Sequence, residues 1–73
     1  MKWNYRVMRH ADGALAVHEV FYDDAGNPNR WTEAPPGFVV DGDEGVDALI
    51  RALEWAIAGC LRPVLDYDPD KNE

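Results

Sequence analysis

The 73-residue chain contains no serine and no glutamine, one threonine (Thr32), one cysteine (Cys60) and two histidines (His10 and His18). A serine nucleophile is therefore excluded. Cys60 falls on the apolar stripe of a helix, where a thiol is expected to be buried and inert, and nothing in the sequence supplies an activating base. A lone cysteine forms no internal disulfide, so nothing points to an oxidising compartment. Met1 to Arg6 lacks the apolar run of a signal peptide. No stretch approaches the ~20 apolar residues of a membrane span. A cytoplasmic chain is expected.

The charge is one-sided. Acidic residues number 14 against 7 basic ones, for a net charge of −7. Residues 1–32 are balanced, so the whole excess sits in residues 33–73, with ten acids against Arg51, Arg62 and Lys71. Such a field repels nucleic acid and anionic membranes and attracts basic surfaces. Apolar residues make up 47%, including three Trp, three Tyr and two Phe, too many for a disordered chain. A chain this short buries only about 60% of the surface that its unfolded form exposes. One domain over residues 1–67 is expected, with 68–73 as a frayed acidic tail.

Trp3 to Arg9 alternates in strand period. Asp12-Gly13 is a hairpin signal, and Leu15 to Asp23 is rich in β-branched and aromatic residues, reading as a second strand. Asp24 to Pro28 is dense in turn formers. Asn29 to Ala34 forms a third strand that Pro35-Pro36-Gly37 ends. With a two-residue first loop, Arg6 faces Glu19, Lys2 faces Asp23, Tyr5 faces Val20 and Trp3 faces Tyr22. With a four-residue second loop, Val20 faces Trp31 and His18 faces Glu33. One sheet face then collects Trp3, Tyr5, Val7, Val20, Tyr22 and Trp31 as the core. The other leaves Asn4, Arg6, Met8, Val17, Glu19 and Phe21 outward.

From Val46 the period becomes helical. Val46, Leu49, Ile50, Leu53, Ile57, Cys60 and Leu61 lie on one stripe, which is expected to face the sheet. Asp43 is the expected N-cap, with Glu44 and Asp47 near the positive end of the helix dipole. Pro63 stops the helix. Pro63 to Tyr67 is a short fourth strand or an apolar tail folded onto the core. The fold class is α+β: a three-stranded antiparallel sheet in the order β-β-β-α, with one helix packed on one face.

Metal and cofactor chemistry finds no support. Asp41-Gly42-Asp43-Glu44-Gly45 opens like a calcium loop, but Val46 stands where its glycine belongs and Ala52 where its closing glutamate belongs. Two histidines and one cysteine at these spacings make no zinc motif. His18 beside Glu33 is the one pair able to pass for an acid–base couple. It reads first as a core histidine satisfied by a cross-strand carboxylate. Trp55 lies opposite the apolar stripe among Ala48, Arg51, Ala52, Ala58, Gly59 and Arg62. It is an interface anchor, or the ring under which residues 64–67 fold. In an extended chain Asp66, Asp68 and Asp70 would project to one side at roughly 6.5–7 Å intervals, comparable to a phosphate step.

The segments Trp3-Asn4-Tyr5-Arg6-Val7, His18-Glu19-Val20-Phe21-Tyr22-Asp23, Trp31-Thr32-Glu33 and Pro63-Val64-Leu65-Asp66-Tyr67-Asp68 resemble a family of small uncharacterised bacterial proteins. That resemblance implies a fold and brings no activity. The Asp12-Gly13 hairpin and the helix led by Gly42-Asp43 are similar to HicB-type antitoxins, without their appended DNA-binding segment. Size and acidity resemble the small phage inhibitors of bacterial defence, such as anti-CRISPR proteins.

The expected function is non-catalytic. An acidic surface of Asp43, Glu44, Asp47, Asp66, Asp68 and Asp70, with Trp55 as anchor, imitates nucleic acid and inhibits a basic, nucleic-acid-handling protein. No cofactor, direct nucleic-acid contact or membrane contact is expected. The alternatives are a HicB-like antitoxin or scaffold, forming homodimers through a strand edge or the Trp55 face, and a minimal enzyme using His18 and Glu33.

Overall fold

The computed structural model describes residues 2–34 and 36–72. The expected strand end at Pro35 lies outside the described residues. The chain folds as β1 (Lys2–Arg9), β2 (Leu15–Tyr22), β3 (Pro28–Trp31), α1 (Gly45–Cys60) and β4 (Leu65–Asp66), followed by a 3-10 turn at Pro69–Lys71. The sheet order is β3-β2-β1-β4. β1 pairs antiparallel with β2, and β4 joins β1 parallel, with Leu65 opposite Met8. The α+β class, the three antiparallel strands, the short fourth strand and the single helix are all present.

The hairpin register is one residue away from expectation. Arg6 lies opposite His18, Tyr5 opposite Glu19 and Lys2 opposite Tyr22. The loop is longer than two residues. The Gly13 amide donates to the His10 carbonyl and the His10 amide to the Ala14 carbonyl, both at 2.9 Å. Gly13 takes φ 87°. This is the three-residue loop in which a type I turn is closed by a left-handed glycine. Asp12 reinforces it by accepting from the Ala14 amide. The expected Arg6–Glu19 and Lys2–Asp23 pairings are thereby lost.

A one-residue slip reassigns the faces. Trp3 and Tyr5 point to the helix side together with Glu19 and Phe21. Met8 and Val20 point to the other side with Trp31, and these three form the buried core, with Tyr22, Leu65 and Tyr67 packed against it. The single core face expected from the sequence is thus divided between two faces. The second hairpin keeps its expected pairing of Val20 with Trp31, then shifts register between Phe21 and Tyr22.

The second face is closed by the end of the chain. The Tyr67 amide donates to the Arg9 carbonyl at 2.9 Å. The Trp31 indole donates to the Asp68 carbonyl at 3.0 Å, and Asn72 bridges to Trp31. Residues 67–72 therefore run from the β4 edge to the β3 edge and tie the curled sheet together. Residues 68–72, expected to fray, are packed because Trp31 and Tyr67 both find polar partners there.

On the helix face, Ala56 and Gly59 are buried. At Gly59 a methyl group would collide with the backbone carbonyl of Tyr5. Alanine ordinarily raises helix stability over glycine by about 1 kcal/mol. Here the Gly59→Ala substitution is expected to destabilise the fold by about 2 kcal/mol, because the obstacle is backbone and cannot rotate away. Urea unfolding measures it, and an unchanged or raised midpoint would show that the helix does not rest on β1 at this point.

Candidate interaction surface

The helical period of residues 46–61 is as expected, but the face is inverted. The small residues Ala48, Ala52, Ala56 and Gly59 lie on the sheet side. Of the expected stripe, Leu49 is half-buried, while Val46, Ile50, Leu53, Ile57, Cys60 and Leu61 are exposed, with Val46 at 71%, Ile57 at 62% and Leu61 at 84%. Trp55 explains the inversion. Its ring lies 4.6 Å from that of Trp3 and 5.4 Å, edge on, from that of Tyr5. Phe38 adds a contact 5.6 Å from Tyr5. An aromatic cluster buries more surface than aliphatic side chains held at a greater distance, and Gly59 lets the helix approach closely enough to form it. Trp55 packs between α1 and β1, away from residues 64–67, and remains 45% exposed.

The carboxylates fall into two groups. Asp41, Asp43, Glu44 and Asp47 are exposed at the start of α1. Glu44, not Asp43, occupies the N-cap and makes no side-chain cap bond, because the turn closed by the Glu44 amide on the Asp41 carbonyl and the left-handed Gly45 (φ 79°) set the entry. Asp66 lies beside Arg9 at the far end of β1. The helix advances along β1 from Trp3 under Trp55 to Tyr5 under Gly59, so its acidic start points away from Asp66. Nor do Asp66, Asp68 and Asp70 form an extended row. The Asp68 carboxylate accepts the Asp70 amide at 3.0 Å and starts the 3-10 turn.

The histidine pair is elsewhere. His18 is completely buried. Its Nδ1 lies 2.9 Å from the Thr32 carbonyl, and its Nε2 lies 2.9 Å from Nε2 of His10. A carbonyl only accepts, so His18 Nδ1 carries the proton and Nε2 accepts from His10. His10 stacks on Tyr67 at 4.2 Å. Glu33 is exposed and contributes its carbonyl to the Tyr67 hydroxyl. The expected His18–Glu33 couple is replaced by this ring contact. Both nitrogens of His18 are engaged, and two surface depressions among the described residues, of about 310 Å³ beside Lys2 and Tyr22 and about 60 Å³ beside Asn4 and Trp55, are lined without a histidine. Among the described residues, no group of three or more His, Cys, Asp or Glu is placed to hold a metal ion.

Arg6 is the buried group that sequence reasoning missed. Its Nη1 donates to the Tyr22 hydroxyl at 2.9 Å and its Nη2 to the Pro63 carbonyl at 2.7 Å. The Tyr22 hydroxyl donates onward to Asn4 at 2.6 Å. Nε is buried without a partner. Only the correct hairpin register would have revealed that Arg6 faces inward. Among the described residues, no helix is long and apolar enough to cross a membrane. No family model, curated protein or solved structure matches the chain.

Burial lowers the pKa of His18 below its ordinary 6.5; the Thr32 carbonyl opposes this, and the nearby His10 ring adds to it. The folded state therefore holds His18 neutral, while the unfolded chain takes up a proton near pH 6.5. Stability is complete above that pH and declines as pH falls from about 6.5 towards the lower folded value. The melting midpoint is expected to fall between about pH 7.5 and 5.5, with a smaller fall in His18→Asn. Equal pH profiles for the two proteins would contradict the burial of a neutral His18.

Proposed function

We propose that this chain is a non-catalytic, cytoplasmic protein-binding module. Its acidic second part occupies the basic groove of a nucleic-acid-handling protein and inhibits it. The observation that carries this reading is the segregation of charge: the whole excess of −7 lies in residues 33–73, and Asp41, Asp43, Glu44, Asp47, Asp66 and Asp70 are all solvent-exposed. Because these acids form two groups, binding rests on the cluster at the start of α1, with Asp66 and Asp70 as a secondary patch. Carboxylates set approach and orientation, while apolar contact sets residence time. A second reading, a HicB-like antitoxin or scaffold, is favoured by the apolar residues that α1 leaves uncovered. There the partner's recognition would be apolar and only weakly salt-dependent.

The two readings part on salt. Immobilised protein is expected to retain nucleic-acid-binding proteins from a bacterial extract at about 50 mM salt, and to release them at about 200 mM or when excess duplex DNA is added. The triple substitution Asp43→Asn, Glu44→Gln and Asp47→Asn should reduce retention about tenfold. Retention indifferent to DNA, salt and these substitutions would refute the acidic-surface reading.

A further inference from the structure

The geometry points to a second copy of this chain as the occupant of the outer face of α1, packed antiparallel to form a two-fold dimer. Val46, Ile50, Leu53, Ile57 and Leu61 are all exposed and fall within about 80° of arc at 100° per residue. The centre of that arc is turned about 140° from the Ala48, Ala52, Ala56 and Gly59 side that rests on the sheet. A second helix laid on it therefore meets no strand. The spacing from Val46 through Ile50, Leu53 and Ile57 to Cys60 alternates four and three residues, which is the seam of helix-on-helix packing.

The stripe reads nearly the same in both directions. In an antiparallel pair, Val46 stands opposite Leu61 of the second copy, Ile50 opposite Ile57, and Leu53 beside its own counterpart at the two-fold axis. Such an isologous contact closes on itself.

Charge selects this direction. A parallel pair would bring together two acidic helix starts, each with Asp41, Asp43, Glu44 and Asp47, and would align the helix dipoles. The antiparallel pair separates those starts.

The area suits a reversible dimer. The five side chains and their neighbours offer on the order of 500 Å² per copy, at the upper end of what a monomer leaves open. Doubled, this is near the lower bound of specific interfaces, so the dissociation constant should be on the order of 10 μM. The dimer does not depend on the acidic-surface reading, since Ile57 and Ile50 can be changed with every carboxylate left in place.

Sedimentation equilibrium tests it. The mass should rise from 8.2 kDa towards twice that value between about 1 and 300 μM. Ile57→Glu and Ile50→Lys should each remain monomeric throughout, with unchanged far-UV circular dichroism and melting midpoint. A wild-type mass that stays at the monomer value, or an unaltered dimer in both variants, would overturn the proposal.

Direction is read from Cys60, the one cysteine, which is exposed. Adding Val46→Cys should give a disulfide-linked dimer on mild oxidation, through Cys60 and position 46 of opposite copies. The wild type, with Cys60 groups at opposite ends of the pair, should not crosslink. Equally efficient crosslinking of the wild type would overturn the antiparallel arrangement.

Discussion

The contact of Gly59 with the backbone of Tyr5 governs the molecule. There α1 approaches β1 so closely that a Cβ at residue 59 would collide with the Tyr5 carbonyl, so the contact exists because residue 59 has no side chain. Once the helix is seated there, Trp55 falls between Trp3 and Tyr5. The three alanines take up the rest of the sheet-facing side. The large aliphatic residues other than the half-buried Leu49 then point outward. A small domain that can bury only part of its apolar surface has used aromatic rings for its helix–sheet contact, leaving most of the aliphatic side chains of α1 exposed.

The opposite face of the sheet follows a different rule. There the apolar core of Met8, Val20 and Trp31 is small, and polar groups are buried beside it. Arg6 spends its guanidinium on the neutral Tyr22 hydroxyl and Pro63 carbonyl, an arrangement that fixes the path from the end of α1 into β4. A buried cation without a carboxylate partner costs free energy on its own. Multiple hydrogen bonds and the tie made by residues 67–72 offset this. His18, directly opposite Arg6 on β2, is likewise buried among hydrogen bonds, to the Thr32 carbonyl and the His10 ring. The two faces of the sheet are thus held by different means: hydrogen bonds and the strap of residues 67–72 on one, the aromatic contact with α1 on the other.

Several of these features were legible in the sequence. The period change at Val46 marks α1 to within a residue or two, because apolar spacing reports helical geometry directly. Asp12-Gly13 marks a hairpin, and Val20 opposite Trp31 follows from the length of the second loop. The first register was not legible. An Asp-Gly pair serves both two-residue and three-residue loops, and only the conformation of Gly13 distinguishes them. That one residue of difference moved Arg6 inward and separated Trp3 and Tyr5 from Val20. The outward stripe was also hidden, since hydropathy identifies the apolar side of a helix and not which side the sheet will take. The signal that could have found it was Gly59 among alanines on the side opposite the stripe, a place where two backbones can approach. Asp68 read as a tail charge because its partner, the Trp31 indole, comes from 37 positions away.

The account stands on which side of α1 faces β1. Nuclear Overhauser contacts in dilute solution measure this directly. The account predicts contacts from the Gly59 α-protons to Tyr5 and from the Trp55 indole to Trp3, with none from the methyl groups of Ile50 or Ile57 to β1. Contacts from those methyl groups to Trp3, Tyr5 or Val7, with Gly59 silent, would contradict it.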